Sequence, residues 1–213
     1  MRRNSGYPGH GSKLHLYMMA LMIAGTALLS GCAKNHEVKS DFPDMVVEPV
    51  DLRVVLVMNN DFRTYTAKPN KKDRIQLGEA QTEALTKAFK GLFSDVNVVY
   101  SWQRGGPDAD LVITPAVREV QLSSPSDSYQ TVFEVWIKYS LDISTADGVP
   151  IDSWFLPAYG KTPYSYLFSR SKAIEEATIM ALRDTGAKLM LDFFRIPAIN
   201  GWMQQHFAAN EQP

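Results

Sequence analysis

One stretch of the sequence, between residues 129 and 143, constrains the fold more than any other. Every second position there holds a residue suited to a core-facing strand: Tyr129, Thr131, Phe133, Val135, Ile137, Tyr139, Leu141 and Ile143. The positions between them are mostly polar, as at Glu134, Lys138 and Asp142. Alternation over this length predicts a long, half-buried antiparallel strand.

The segments on either side predict further strands and two long helices. Residues 51–58 are apolar on both alternate sets, which favours a strand covered on both faces. Apolar residues at helical spacing predict one helix over about 77–92 and a second that begins at Ser169 or Ser171 and ends at Pro197. Other strands are expected near 96–102, 111–122 and 151–159, and Pro115 implies an edge or a bulge in the second of these.

This order of elements predicts the fold class. Strand, helix, strand, a run of antiparallel strands and a final helix are typical of an α+β domain. We expect a two-layer sandwich, with a mixed or antiparallel sheet of about five strands and two long helices on one face.

The first 31 residues have the parts of a secretory signal peptide. Arg2, Arg3 and Lys13 precede or open an apolar stretch, and no acidic residue occurs before Glu37. The stretch ends in Leu29-Ser30-Gly31-Cys32, which resembles the lipobox of bacterial lipoproteins. The resemblance implies cleavage before Cys32, which would carry a covalent diacylglycerol and an N-acyl chain such as palmitate. The alternative is an uncleaved membrane helix followed by a chance cysteine.

We therefore divide the chain into four parts. Residues 1–31 are the lipoprotein signal peptide, 32–49 the lipidated N-terminus and an extended tether, and 50–195 the α+β periplasmic domain. Residues 196–213 form a C-terminal amphipathic segment and tail, expected to pack on the sheet or, alternatively, to lie on a membrane or partner. An alternative for the tether is an ordered edge segment in which Phe42, Met45 and Val46 pack on the domain.

Charge and cysteine content exclude several functions. The chain of 213 residues has a formal net charge of −1 and one cysteine. Removal of residues 1–31 takes away three bases and no acid, which leaves 19 basic and 23 acidic side chains. A net charge of −4 argues against a nucleic-acid partner and gives no reason to expect attraction to anionic lipids. A single cysteine excludes an intramolecular disulfide and a multi-cysteine metal site.

The four histidines lie outside the predicted domain, at positions 10, 15, 36 and 206. A domain with neither histidine nor cysteine lacks the base or nucleophile of Ser-His and Cys-His enzymes and the usual zinc ligands. We therefore expect no enzymatic activity, no metal and no cofactor beyond the lipid on Cys32. Weaker alternatives are a calcium site at Asp108 and Asp110 and a glycosidase pair at Glu119 and Glu134.

Two surface features are candidates for binding. The basic loop 68–74 is either a solvated loop or a site for an anionic partner. An aromatic stretch is expected to form the loop between the last strand and the second helix, where it either packs in the core or marks a partner surface. The candidate partner-binding residues are Trp154, Phe155, Tyr159, Tyr164 and Tyr166, together with Trp202.

The lipobox at 29–32, followed by this order of elements, resembles small outer-membrane lipoproteins with an assembly role. These include the lipopolysaccharide-assembly lipoprotein that plugs an outer-membrane barrel and the YajG-type lipoproteins. The resemblance implies a non-enzymatic protein, lipid-anchored through Cys32 at the periplasmic face of the outer membrane. Such a protein would be an accessory or assembly partner of an envelope protein complex. The alternative is a ligand-binding auxiliary lipoprotein, for lipid or glycan, of an envelope transport system.

Overall fold

A computed structural model describes residues 33–39, 42, 48–103, 108–128 and 131–210. The predicted signal peptide, Cys32, Met45 and Val46 lie outside the described residues. A compact unit begins at Lys34. Within the described part, no helix has the length and apolar character needed to cross a membrane.

The described residues form the following strands and helices, each kind numbered in chain order. The strands are β1 (Lys34–Glu37), β2 (Val50–Val57), β3 (Thr66–Ala67), β4 (Asp73–Gln76), β5 (Phe93–Val99), β6 (Leu111–Ser123), β7 (Val132–Ser144) and β8 (Pro150–Pro163). The helices are α1 (Asn60–Arg63), α2 (Gly78–Leu92), α3 (Pro125–Ser128), α4 (Arg170–Asp192) and α5 (Pro197–Asn210).

The main sheet has five strands in the order β5-β2-β6-β7-β8. Strand β2 is parallel to β5 and β6, whereas β6, β7 and β8 are antiparallel. Pairing of β2 with β6 covers only Leu111–Ile113, so Pro115 lies past its end, where a missing N–H breaks no bond to β2. A bulge follows between Val117 and Glu119. The predicted edge or bulge near Pro115 is confirmed.

Both long helices pack against the sheet and form the second layer of the fold. Helix α4 lies on β7 and β8, and α2 contacts α4 and β5. The alternation in β7 is confirmed, because Val135, Ile137 and Tyr139 are buried towards the helices. The fold is therefore the predicted α+β arrangement, with a small additional sheet of order β1-β4-β3.

Two element boundaries differ from the sequence-based predictions. Strand β5 begins at Phe93, three residues earlier than predicted, because Phe93 packs between the rings of Phe89 and Phe193 in the core. Helix α4 ends at Asp192 and not at Pro197. Pro197 is the first residue of α5, where its missing N–H would have no helical partner in any case.

The predicted tether is ordered over part of its length, in agreement with the alternative of an ordered edge segment. Strand β1 pairs in parallel with β4, and the side chains of Val38 and Phe42 are buried in the main core. The domain thus begins at Lys34 and not at residue 50. At the other end, Ile199 in α5 is fully buried, so the C-terminal segment packs on the domain.

Candidate interaction surface

The sheet face opposite the two long helices carries exposed side chains in the second half of β6, the first half of β7 and the β8 residues paired with them. Register places Trp136 beside Gln121 and Tyr159, and Lys138 beside Glu119 and Pro157. The outward side chains form a surface that we call the open face: Glu119, Gln121, Glu134, Trp136, Lys138, Phe155, Pro157 and Tyr159.

Aromatic rings occupy the centre of the open face. Trp136 is 38% exposed and Phe155 54% exposed. The rings of Trp136 and Tyr159 lie with centroids 5.0 Å apart and planes tilted by 41°. The Lys138 ammonium nitrogen is 5.0 Å from the centroid of Phe155, close enough for a cation–π contact. Aromatic rings and the positive charge of Lys138 therefore lie together on β7 and β8.

A hydrogen bond fixes the orientation of Tyr159. Its hydroxyl donates to Glu134 Oε1 at 2.6 Å. The bond to this carboxylate, with some burial of the phenol, raises the pKa of Tyr159 to about 12. Beside it, Gln121, Trp136, Lys138 and Pro157 line a shallow pocket of about 200 Å³. The phenol therefore remains neutral and positioned at physiological pH.

Strand β8 is the last strand of the sheet, and its outer edge is occupied by side chains of α4. The backbone N–H of Tyr159 donates to Asp184 Oδ2 at 2.9 Å, and Lys188 Nζ donates to the Pro157 carbonyl at 2.8 Å. Pro157 itself has no N–H to offer. Because the Tyr159 N–H and the Pro157 carbonyl are already bonded, they cannot pair with the backbone of an added strand at this part of the edge. A partner would therefore contact the face of this sheet and not its β8 edge.

The six aromatic residues predicted to bind a partner do not form one patch. Strand β8 continues to Pro163, so Trp154, Phe155 and Tyr159 lie on a strand and not in the predicted loop. Alternation along that strand points Phe155 and Tyr159 outward, whereas Trp154 packs against Phe193 in the core at 6.3 Å. Two of the six therefore belong to the open face.

The other three lie elsewhere. Tyr164 is 60% exposed and stacks on Phe133 with centroids 5.9 Å apart. Tyr166 packs against the core. Trp202 is half-buried on α5 and stacks on His206 at 4.8 Å.

Sequence reasoning missed Trp136 and Lys138 as site residues. Both were available from the sequence, because they stand in the outward register of the strand whose inward register was recognised. A tryptophan among the polar positions of a half-buried strand is the signal that identifies an apolar surface on the open side.

A buried polar cluster joins the N-terminal strand to α4; we call it the His36 cluster. His36 is fully buried, with Nε2 2.9 Å from Asp73 Oδ1 and Nδ1 2.9 Å from Ser171 Oγ. Arg170 donates to both Asp73 oxygens, at 2.8 Å to Oδ2, and Asn70 donates to the same carboxylate. The bonds from Arg170, above all, hold the pKa of Asp73 well below its usual range.

The His36 cluster corrects the expectation that no histidine belongs to the domain. Hydrogen bonds join Ser171 to His36 and His36 to Asp73, which is the succession of partners found in a Ser-His-Asp triad. The geometry favours a structural role, since a fully buried imidazole is closed to a substrate. Arg170 also neutralises the carboxylate that a triad would need for the imidazolium.

The carboxylates proposed for weaker alternatives have ordinary partners. Asp108 and Asp110 both pair with Arg53, at 2.8 Å for Asp110 Oδ1. Glu119 accepts from Gln121 on the same strand, and Glu134 accepts from Tyr159. Among the described residues, no group of three or more His, Cys, Asp or Glu side chains is placed to hold a metal ion.

No protein-family model and no curated protein matches this chain. Three solved structures share some of its architecture. A minor lipoprotein from Acinetobacter baumannii is 14% identical, with 68% of this chain and 92% of that chain covered and a TM-score of 0.42. A hypothetical protein from Chlamydia trachomatis is 8% identical, with coverage of 68% and 96% and a TM-score of 0.44. The PelC dodecamer from Paraburkholderia phytofirmans is 15% identical, with coverage of 69% and 95% and a TM-score of 0.37.

These identities and scores assign neither a family nor a function to this chain.

Proposed function

We propose that this chain is a bacterial lipoprotein held by lipid on Cys32 at the periplasmic face of the outer membrane. It acts without catalysis, as an accessory or assembly partner of an envelope protein complex. The lipobox supports the anchor, and the open face supports the protein partner.

The aromatic centre of the open face is the observation that carries the proposal. The outward side of an antiparallel sheet in a two-layer domain is ordinarily polar. Here Trp136 and Phe155 are exposed on neighbouring strands, and Tyr159 lies beside Trp136. Aromatic residues are enriched at the centre of protein interfaces, where charged groups form the rim. Glu119 and Glu134 supply charged groups beside the rings, and Lys138 adds a positive charge over Phe155.

Photo-cross-linking in intact envelopes tests the partner directly. A photoreactive phenylalanine analogue at position 155 should give one discrete protein adduct. The matched control is the same analogue at Tyr100, an aromatic residue that is 64% exposed but lies after β5, outside the open face. A partner of the open face should be captured from position 155 and not from position 100.

Charge reversal on the same surface makes the test specific. Lys138→Glu should abolish the adduct at position 155, whereas Lys90→Glu, on the exposed side of α2, should leave it intact. Absence of an adduct at 155, or equal adducts from 155 and 100, would contradict the proposed surface.

The anchor is tested separately by labelling cells with radioactive palmitate. The full chain should incorporate label, and Cys32→Ala should not. Label that survives the Cys32→Ala change would refute attachment at this residue.

A second function is favoured by one feature of the open face. The Trp136 and Tyr159 rings lie beside the hydrogen-bonding groups of Gln121 and Glu134, over the pocket of about 200 Å³. Rings flanked by amide and carboxylate groups can stack on a sugar and bind its hydroxyls. Titration of the detergent-solubilised full chain with peptidoglycan fragments tests this function. Saturable fluorescence quenching that Trp136→Phe removes would favour a glycan ligand.

A further inference from the structure

A second exposed apolar feature lies in the turn between β8 and α4. Tyr164 is 60% exposed, Leu167 66% and Phe168 98%. We call these three residues the apolar tip. Single exposed apolar residues are common, but three within five positions form a patch that marks an interaction site.

The backbone of the turn holds the tip outward. Leu167 and Phe168 have φ values of 47° and 49°, in the left-handed region that residues with a β-carbon disfavour. The turn is closed by hydrogen bonds from Phe168 N to Ser165 O at 3.0 Å and from Ser169 N to Tyr166 O at 3.1 Å. Tyr166 also packs on the core. The tip is therefore a defined turn that presents Leu167 and Phe168 to the surroundings.

The tip lies at the end of the domain where the described chain begins. Arg170, two residues after Phe168, binds Asp73, and Asp73 is the register partner of Lys34. Ser171 contacts His36 of the same N-terminal strand. Cys32 is joined to Lys34 through one residue, so their Cα atoms are at most about 7 Å apart. Acyl chains on Cys32 would therefore leave the protein close to the tip.

Several basic side chains lie near the start of α4, next to the tip, although the mature chain is acidic. Lys71, Lys72 and Arg170 line a polar pocket of about 550 Å³, with Asp127 as its exposed carboxylate. Lys34 is exposed at the start of β1 and pairs its backbone N–H with the carbonyl of Lys72. Cations beside a small apolar tip suit the boundary between anionic head groups and acyl chains.

We propose that the apolar tip inserts into the lipid bilayer beside the acyl chains of Cys32, so that the domain stands on the membrane by this end. The inference rests on the proposed lipid anchor and adds a second, non-covalent contact to it. Val149, which is 58% exposed, precedes β8 at its other end, about 45 Å from the tip along a strand of 14 residues. The two ends of β8 therefore lie at different heights above the membrane.

A thiol probe distinguishes the two ends in the lipidated full chain. Cys32 is the only cysteine of the sequence, and lipidation blocks its thiol, so Phe168→Cys creates a unique labelling site. Val149→Cys is the matched control, also an exposed apolar residue, and Leu167→Cys is a second probe of the tip. Each variant is labelled with an environment-sensitive dye and reconstituted in vesicles of phosphatidylethanolamine and phosphatidylglycerol that contain lipids with nitroxide quenchers.

Insertion predicts blue-shifted emission and strong quenching at positions 168 and 167, with neither effect at 149. A dye at both tip positions that stays as water-exposed as at 149, in protein that floats with the vesicles, would overturn insertion and leave the anchor intact. Failure of the full chain to incorporate palmitate would overturn the anchor and, with it, the inserted tip. Emission that shifts only after an envelope extract is added would assign the tip to a protein and contradict insertion.

Discussion

At the scale of single residues, the charge on Asp73 stabilises the junction between the N-terminal strand and α4. Its carboxylate is 1% exposed and accepts hydrogen bonds from Arg170, Asn70 and His36. Groups that bind the ionised form lower its pKa in the folded protein relative to the unfolded chain. The stabilisation by the Asp73 carboxylate is therefore complete above the pKa of about 3.9 that aspartate has in the unfolded chain. It is lost progressively as the pH falls towards the lower pKa of Asp73 in the folded protein.

Asp73→Asn tests this contribution. The change leaves Arg170 without its carboxylate and should lower the free energy of unfolding at pH 7 by about 3 kcal/mol. Denaturant melts of both proteins should show the difference narrowing below about pH 4, where the wild-type carboxyl begins to protonate in the unfolded chain. Asp147→Asn is the control, because an Asn-Gly turn at 147–148 replaces Asp-Gly without loss. A difference that stays constant down to pH 2 would contradict the assignment.

The phenol of Tyr159 offers a second test at the scale of single residues. Its pKa of about 12 depends first on the hydrogen bond to Glu134. Glu134→Gln keeps an acceptor but removes the charge, so the pKa should fall towards the ordinary value of about 10. Because the folded pKa is raised, the stabilisation from this contact is complete below about pH 10 and disappears as the pH rises through about 12.

NMR titration of ring-labelled tyrosine, with the signal assigned through Tyr159→Phe, measures the shift. Glu119→Gln is the matched control, since Glu119 lies on the same face but bonds Gln121. Equal titration curves for wild type and Glu134→Gln would show that Glu134 does not set this pKa.

At the scale of elements, the contact between α4 and β8 requires a missing side chain. A β-carbon on Gly160 would lie 2.0 Å from the Ala177 carbonyl oxygen and 2.4 Å from the Ala181 nitrogen. Both are backbone atoms of the helix, so no side chain can move aside. Helix and strand would have to separate for any other residue to fit.

Gly160→Ala should therefore lower the free energy of unfolding by about 3 kcal/mol through overpacking. Gly201→Ala is the matched control, because Gly201 lies in α5 with open space around its β-carbon position. There the added methyl should raise the free energy of unfolding by about 0.5–1 kcal/mol, since alanine favours helix. Thermal melts of the two variants should move in opposite directions.

Elements with a strict local pattern were predictable from the sequence, whereas those defined by distant pairing were not. The inward register of β7 follows from alternation alone. From the sequence, β8 is predicted only as far as Tyr159, whereas pairing with β7 carries the strand to Pro163. Trp136 and Lys138 were missed as neighbours of Phe155 for a related reason, because these residues become one surface only when β7 and β8 are aligned.

At the scale of the whole molecule, the docked N-terminus sets how closely the domain would follow the lipid anchor proposed at Cys32. His36 is 37 residues from Asp73 and 135 from Ser171 along the chain, so no local sequence pattern predicts the contacts among these three side chains. With β1 docked, one residue separates Cys32 from the ordered domain. If the segment from Lys34 to Pro49 came free, it could span about 50 Å when fully extended. The His36 cluster thus decides between a domain held at the membrane and one on a long tether.

His36→Ala should release β1, because it removes both bonds that join the strand to β4 and α4 through this side chain. Hydrogen exchange followed by mass spectrometry should show lost protection at 34–37, with protection of the β6–β8 strands unchanged. Ser171→Ala is the control, since it keeps the bond from His36 to Asp73 and should retain most of the protection. Unchanged protection of β1 in His36→Ala would show that backbone pairing with β4 and burial of Val38 and Phe42 hold the strand without His36. Under the proposed insertion, release of β1 should also reduce dye quenching at position 168, because the tip then no longer shares a fixed end with the proposed anchor.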